Sequence, residues 1–346
     1  MSKCITINGR QIGKNMPPYV IAEACVNHQG DIERAREMVY IAHENGADAI
    51  KFQLHIIEDE MLKDVPISGN FQKPLWEVLE DTNFTVSEHI DLRKLCENVG
   101  IDYLCTPFSA AASDLLFTEI GVSAFKTGSG ELTNHPFQAH TAGLGLPMIV
   151  STGMSEIGEI DEVVSLHHTL GTQLALMHCV SIYPCPYERV NLDFIPKMSA
   201  RYNVPVGLSC HTPTPYTGLG AVSLGASIIE KHFTLDRGLV GPDHQSSILP
   251  HELKILTEGA DALFKARGDD RKIFDEELEI VRWARESVVS LCDIPPNTTI
   301  TKDMIGVKRP SPINDVFPAK DFENVIGRIS HHLIRKDKQV RQSDLK

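Results

Sequence analysis

Two histidines raise the first chemical question. His211 ends the run Val-Gly-Leu-Ser-Cys-His and His232 ends Ile-Ile-Glu-Lys-His, so each imidazole stands where an apolar stretch stops. Taken singly, either is most simply a core histidine satisfied by hydrogen bonds. On adjacent parallel strands, about 4.8 Å apart, the two together are suited to share one divalent first-row ion. Two protein nitrogens leave positions open for substrate or water, which favours a Lewis acid over a structural ion. Ligand type alone does not name the metal. Lys51 and Lys126 end two other apolar runs. Lys126 begins Lys-Thr-Gly-Ser-Gly-Glu, a small-residue turn whose backbone amides, with Ser129, make an anion cradle. A lysine so placed has a second use, as a Schiff-base nucleophile toward a carbonyl. Glu23 and Glu131 are the carboxylates available to move a proton.

These side chains need a frame that brings them together. From residue 19 onward, apolar runs at 19–23, 49–53, 102–106, 124–127, 147–152, 173–179, 205–209 and 227–232 alternate with amphipathic stretches. Most runs are rich in Val, Ile and Phe and too continuous to alternate, which predicts strands buried on both faces. Between them, 32–45 carries Ile32, Ala35, Met38, Val39 and Ala42 on one stripe with Gly46 behind it, and 86–98 is closed by Gly100; both read as helices. Eight such units in about 230 residues predict a (β/α)8 barrel. The alternative, an open doubly wound sheet, usually shows a Gly-rich fingerprint after its first strand, and none is present. In a barrel the C-terminal strand ends share one mouth. Glu23, Lys51, Thr106, Lys126, Ser151, Tyr183, Ser209, His211 and His232 fall there. One polar residue at such a place is well explained as a helix cap; a whole set is not.

The flanks read differently. Residues 4–13, with Asn8-Gly9 as the turn, predict a hairpin that plugs the bottom of the barrel. The barrel with its hairpin is expected over 1–265, a charged linker over 266–284, and a small β-rich domain over 285–346. In that last part Ile294, Ile300 and Ile305 repeat the spacing of Ile334, Val340 and Leu345, with Asp303 and Asp344 at matching steps. So short a segment has a marginal core by itself.

Composition narrows the classes. The 346 residues include 33 basic and 46 acidic side chains, a net charge of −13. Such a surface repels phosphate backbones and anionic lipid, which argues against a nucleic-acid or membrane binder. An anionic ligand would have to find its positive charge inside a pocket. No stretch approaches the ~20 apolar residues of a membrane span, and the first residues lack a secretory signal, so the cytoplasm is the expected address. Eight cysteines without a CxxC pair read mostly as buried reduced thiols. His167-His168 and His331-His332 read as surface residues.

Ordered motifs then carry a resemblance. They are Ile-Ala-Glu-Ala-Cys-Val-Asn-His-Gln-Gly at 21–30, Ile-Lys-Phe-Gln at 50–53, Thr-Pro-Phe-Ser at 106–109, Lys-Thr-Gly-Ser-Gly-Glu at 126–131 and Ser-Thr-Gly-Met at 151–154. Further on come Tyr-Pro-Cys-Pro-Tyr at 183–187, Gly-Leu-Ser-Cys-His-Thr at 207–212, Glu-Lys-His-Phe-Thr at 230–234, Gly-Pro-Asp at 241–243 and Val-Lys-Arg-Pro at 307–310. From residue 17 onward the chain resembles the sialic acid synthase family, which joins phosphoenolpyruvate to an N-acetylated hexosamine. The resemblance implies a (β/α)8 TIM barrel followed by an antifreeze-like SAF domain, in a domain-swapped homodimer. It implies that His211 and His232 hold a Mn2+-type ion, with Mg2+ or Co2+ as alternatives. It implies a phosphoenolpyruvate site of Lys51, Thr106, Lys126, Ser129, Ser151 and Ser209. It also implies a sugar site of Glu23, Asn70, Tyr183, Asp243 and, from the partner chain, Arg309, with Trp283 as an aromatic nearby. Two residues depart from the family pattern: Cys210 stands where Asp is usual before the histidine, and Ser311 where Gly is usual after Arg-Pro. The expected substrate is N-acetylmannosamine or a 2,4-diacetamido-6-deoxyhexose. A Schiff-base aldolase using Lys126 and a sugar- or ice-binding protein are the competing readings.

Overall fold

The apolar runs become the staves of a barrel. The computed structural model describes residues 3–64, 67, 73–268, 270–311 and 314–346, which form two compact units, 1–268 and 269–346. In the first unit, β1 (Cys4–Ile7) and β2 (Arg10–Gly13) form an antiparallel hairpin. The barrel strands follow: β3 (Tyr19–Glu23), β4 (Ala49–Leu54), β5 (Asp102–Pro107), β6 (Phe125–Thr127), β7 (Met148–Ser151), β8 (Leu174–Cys179), β9 (Val206–Cys210) and β10 (Ile228–His232). All ladders among them are parallel, in the order β5-β4-β3-β10-β9-β8-β7-β6, and β5 packs beside β6 so that the barrel nearly closes. A parallel neighbour requires a crossover. Helices such as Ile32–Glu44, Val86–Val99 and Ile157–Leu170 supply it and cover the outside.

Each strand alternates between two cores. Val20, Ala22, Ile50, Phe52, Val150, Leu176, Leu208 and Ile229 point outward and pack under the helices. Tyr19, Ile21, Ala49, Leu104, Ala124, Ile149, Ala175, Met177 and Ile228 point inward and fill the barrel's lower half. Ile5, Ile7 and Ile12 of the hairpin belong to this inner cluster, so the hairpin does plug the floor. Polar ties hold it there: Arg10 pairs with Asp48, and Asn8 Nδ2 donates to Asp102 at 2.7 Å while Tyr19 Oη donates to the same carboxylate at 2.6 Å. The inner layer leaves no spare room at Gly207, where a Cβ would stand 2.4 Å from the backbone oxygen of Ile228.

One step of two residues further along five of the strands, the inward positions change from apolar to chemical. Ile21 gives way to Glu23, Ala49 to Lys51, Ala124 to Lys126, Ile149 to Ser151, and Ile228 to Glu230 and His232, all by the strict period of an extended chain. The ladder register then sets neighbours: His232 lies opposite Glu23, and Glu23 opposite Lys51.

His167 is a correction to the sequence reading. It is buried on the helical stripe of Ile160, Val163 and Val164, with its ring nitrogens 3.0 Å from Gln138 Oε1 and 3.3 Å from Thr172 Oγ1. The histidine pair had drawn a surface reading, but the 3.6-residue period places only His168 outside. His331 and His332 are exposed as read.

The second unit is built on β11 (Ser287–Ser290) paired antiparallel with β12 (Ile305–Lys308). Its core joins Val288, Ile294, Ile300, Ile305, Phe317, Val325, Ile334 and Val340. Ile294 bridges Ile334 directly, and short 3-10 turns at Lys302–Met304 and Gln342–Asp344 mark the two copies of the repeat.

If the hairpin is part of the barrel core, Ile12→Ala should lower the unfolding free energy of the first unit by about 2–4 kcal/mol, through lost burial and a residual cavity. Equilibrium denaturation followed by far-UV circular dichroism measures this. A change under about 0.5 kcal/mol, the usual size of a surface effect, would mean that the plug contributes nothing.

Candidate active site

The polar ends of the strands line one cavity of about 690 Å3. Glu23, Lys51, Thr106, Lys126, Ser129, Glu131, Ser151, Tyr183, Ser209, His211, His232 and Asp243 all face it. Asn70 lies outside the described residues. Arg309 and Trp283 belong to the second unit, where both are exposed.

Glu230 stands at the centre of the lower cavity. Its Oε1 accepts from Ser209 Oγ at 3.0 Å and lies 3.6 Å from Lys126 Nζ; its Oε2 lies 4.0 Å from Lys51 Nζ. Lys51 also pairs with Glu23 and donates to Thr106 Oγ1 at 2.7 Å, while Lys126 donates to Ser151 Oγ at 2.6 Å and to the Thr127 carbonyl at 3.0 Å. Burial would neutralise each of these groups, and their neighbours decide the outcome. For Glu230 the two ammoniums outweigh burial and hold the carboxyl below its ordinary range. For Lys51 the carboxylates of Glu23 and Glu230 outweigh burial and hold the ammonium up. For Lys126 burial wins and pulls it down. For Glu23 burial also wins, against the pull of Lys51, and raises the carboxyl.

Sequence reasoning quoted Glu230 within a motif but gave it no role. The signal was available: it lies two residues before His232, on the same face of the same strand. Gln53, His55 and Glu60 also line the cavity; the His55 ring stacks on Phe108 at 4.3 Å, with its nitrogens 2.8 Å from Glu60 Oε1 and 3.1 Å from Gln53 Oε1.

The upper part of the site holds neutral donors. His211 Nδ1 donates to the Val180 carbonyl at 2.7 Å, which leaves its Nε2 carrying a lone pair. His232 is buried, and among the described residues its Nδ1 has no hydrogen-bond partner. The two rings lie 5.3 Å apart, with the Tyr183 ring 4.0 Å from His211 and 5.9 Å from His232. Burial lowers His211 to about 4 and His232 well below its ordinary value, so both imidazoles are neutral at pH 7. Cys25, His232 and Asp243 each offer a donor atom within 4.8 Å of the others. Neutral imidazoles, an orphaned ring nitrogen and a carboxylate make a donor set that fits a divalent cation.

Ser129 and Gly153 shape the wall beside Lys126. Ser129 Oγ accepts from the Gly153 amide at 3.1 Å, and a Cβ at Gly153 would come within 2.5 Å of Ser181 Oγ and 2.6 Å of Ser129 Oγ. Glu131 follows on the turn Ser129–Glu131. Its Oε2 is buried without a hydrogen-bond partner among the described residues, and burial pushes the carboxyl up to about 7.

The comparisons agree with this architecture. The NeuB family model matches residues 38–272 and the SAF domain model matches 285–346. The chain is 36% identical over 342 residues to the N,N'-diacetyllegionaminic acid synthase of Legionella pneumophila, covering 94% of this chain and 95% of that one. It is 32% identical over 327 residues to the human N-acetylneuraminate-9-phosphate synthase, covering 92% and 90%. The crystal structure of the N-acetylneuraminic acid synthetase of Leptospira borgpetersenii superposes with a TM-score of 0.74 at 32% identity, covering 81% of this chain and 96% of that one.

The raised Glu131 carboxyl has a pH signature. The folded chain keeps its proton up to about 7, while the unfolded chain releases it near the ordinary value of 4.5. The folded state therefore binds more protons between those values, so this residue's contribution to stability falls as pH rises through the window. Glu131→Gln should remove that fall: its denaturation midpoint, relative to wild type, should climb from pH 4.5 to pH 7. A constant difference across the window would show that Glu131 ionises normally.

Proposed function

The chain belongs to the NeuB family and carries a SAF domain, and from that premise we propose that it condenses phosphoenolpyruvate with an N-acetylated amino sugar to a nine-carbon 2-keto acid, releasing phosphate. The observation that carries this reading is the pair of buried lysines, Lys51 and Lys126, facing one cavity in a chain whose net charge is −13. Two ammoniums concentrated there are the attraction that a trianionic reactant needs in an otherwise repellent molecule. Ser129, Ser151, Ser209 and Thr106 add hydroxyls for the phosphate and carboxylate oxygens. Without the anion, Glu230 balances the two ammoniums.

The bonds made and broken follow from the products. C3 of the enol forms a bond to the aldehyde carbon of the open-chain sugar, whose oxygen takes up a proton. Water adds at C2, and the C2–O bond to phosphate breaks. His211 and His232 would hold a divalent ion (Mn2+, Mg2+ or Co2+), which when bound supplies Lewis-acid polarisation of the aldehyde. Glu23, beside Lys51 and His232, is the first choice for moving the proton of the attacking water or of a sugar hydroxyl, and Glu131 the second. Met61, Leu75, Val78 and Leu79 form an apolar stretch of the cavity wall that suits the methyl groups of acetamido substituents. Asn70, Tyr183 and Asp243 complete the proposed sugar site. Arg309 and Trp283 would reach it in a domain-swapped homodimer, the SAF domain of one chain serving the barrel of the other. Such an enzyme works in the cytoplasm, and among the described residues no helix is long and apolar enough to cross a membrane.

Phosphate release measured with phosphoenolpyruvate and a panel of N-acetylmannosamine and 2,4-diacetamido-6-deoxyhexoses should reveal the substrate, and water labelled with 18O should place its label in the keto acid, not in the phosphate. Lys126→Met should raise KM for phosphoenolpyruvate about tenfold or more, the worth of a charge-assisted hydrogen bond, with a smaller effect on the sugar. Borohydride trapping of a pyruvate adduct on Lys126, or no phosphate release with any sugar, would refute the reading.

The swapped dimer is tested by mixing. Arg309→Ala and His232→Ala chains, each inactive alone, should regain part of the activity once subunits exchange, since one hybrid site has an intact barrel and an intact arginine. Near-normal activity of Arg309→Ala, as expected of a solvated surface cation, would remove the arginine from the mechanism.

A further inference from the structure

Cys25 occupies a place that a cysteine should avoid. It lies just beyond β3 with φ at +45°, in the left-handed region that glycine enters freely and other L-residues enter at a cost of roughly 1–2 kcal/mol. Its side chain is buried and faces the cavity. There its sulfur lies within 4.8 Å of donor atoms of both Asp243 and His232. His232, itself buried, has an Nδ1 with no hydrogen-bond partner among the described residues. Backbone strain, a thiol against a carboxylate and an unpartnered imidazole nitrogen thus meet at one point. Strain of this kind persists only where the surroundings hold it and is concentrated at functional sites.

We propose that Cys25 is a thiolate ligand of the divalent ion, forming with His232 and Asp243 a three-donor face beside His211. The inference rests on the metal reading given above and extends its donor set. On binding, the S–H bond breaks, its proton passes to solvent by way of the Asp243 carboxylate, and the sulfur lone pair forms the bond to the metal; no oxidation state changes. A thiolate and a carboxylate together balance the two positive charges of the ion within the buried site. The soft sulfur donor also sets preference: Co2+, Fe2+ and Zn2+ over Mg2+.

The test is absorption spectroscopy on the full-length protein, stripped with a chelator and titrated with Co2+. A thiolate ligand produces a sulfur-to-cobalt charge-transfer band in the near ultraviolet, which should grow with bound cobalt and saturate at stoichiometry. The band should be lost in Cys25→Ser and in Cys25→Gly. The glycine variant suits the left-handed backbone and guards against misfolding, which far-UV circular dichroism checks. Stoichiometric cobalt without the band, or a band unchanged in both variants, would overturn the role of Cys25 while leaving the two-histidine site standing. A wild-type protein that binds no cobalt would overturn both.

Discussion

The arrangement of the barrel mouth depends on burying four titratable groups, Glu23, Lys51, Lys126 and Glu230, together. Taken singly, each would shed its charge on burial. Held between the two lysines, Glu230 stays ionised, and Glu230 with Glu23 keeps Lys51 protonated. Such a cluster is weak evidence for stability, because removing any one member strands the others. Its value lies in readiness: the two lysines are fixed at the cavity before any ligand arrives, so little reorganisation remains. All four come from strands and none from a loop: β3, β4 and β10 are neighbours in the barrel, and β6 brings Lys126 to them from another part of the ring.

The same register separates two kinds of chemistry within one cavity. Charged groups sit around Glu230, while the neutral imidazoles of His211 and His232 come at the strand ends above it. A neutral nitrogen retains its lone pair for a cation or an electrophile, whereas an ammonium can only donate. The positions of β10 supply both kinds, with Glu230 and His232 two residues apart on one face, while Lys231 between them points outward and is bonded to the Thr212 carbonyl.

Much of this was legible in the sequence because a barrel converts a one-dimensional rule into a site. A strand-end polar residue after an apolar run points to the mouth, and the eight runs located most of the cavity. On the run 227–232 the rule points to His232 at the end and passes over Glu230, one inward step before it. Cys25 was hidden for a different reason: it follows the strand, and its approach to Asp243 depends on a loop more than two hundred positions away, which no local period reports. His167 was misread because adjacency to a second histidine outweighed its place on the helical stripe. The spacing repeat of the C-terminal part was readable, since two copies of one short unit must bury the same positions, as Ile294 and Ile334 do.

The hairpin floor carries a consequence for traffic. Among the described residues, Ile5, Ile7 and Ile12 stopper the lower end of the barrel, so the interior is a well closed at its floor. A guest seated deep in such a well would be shut in by a second one seated at the rim, so the well would empty in the reverse of the order in which it filled.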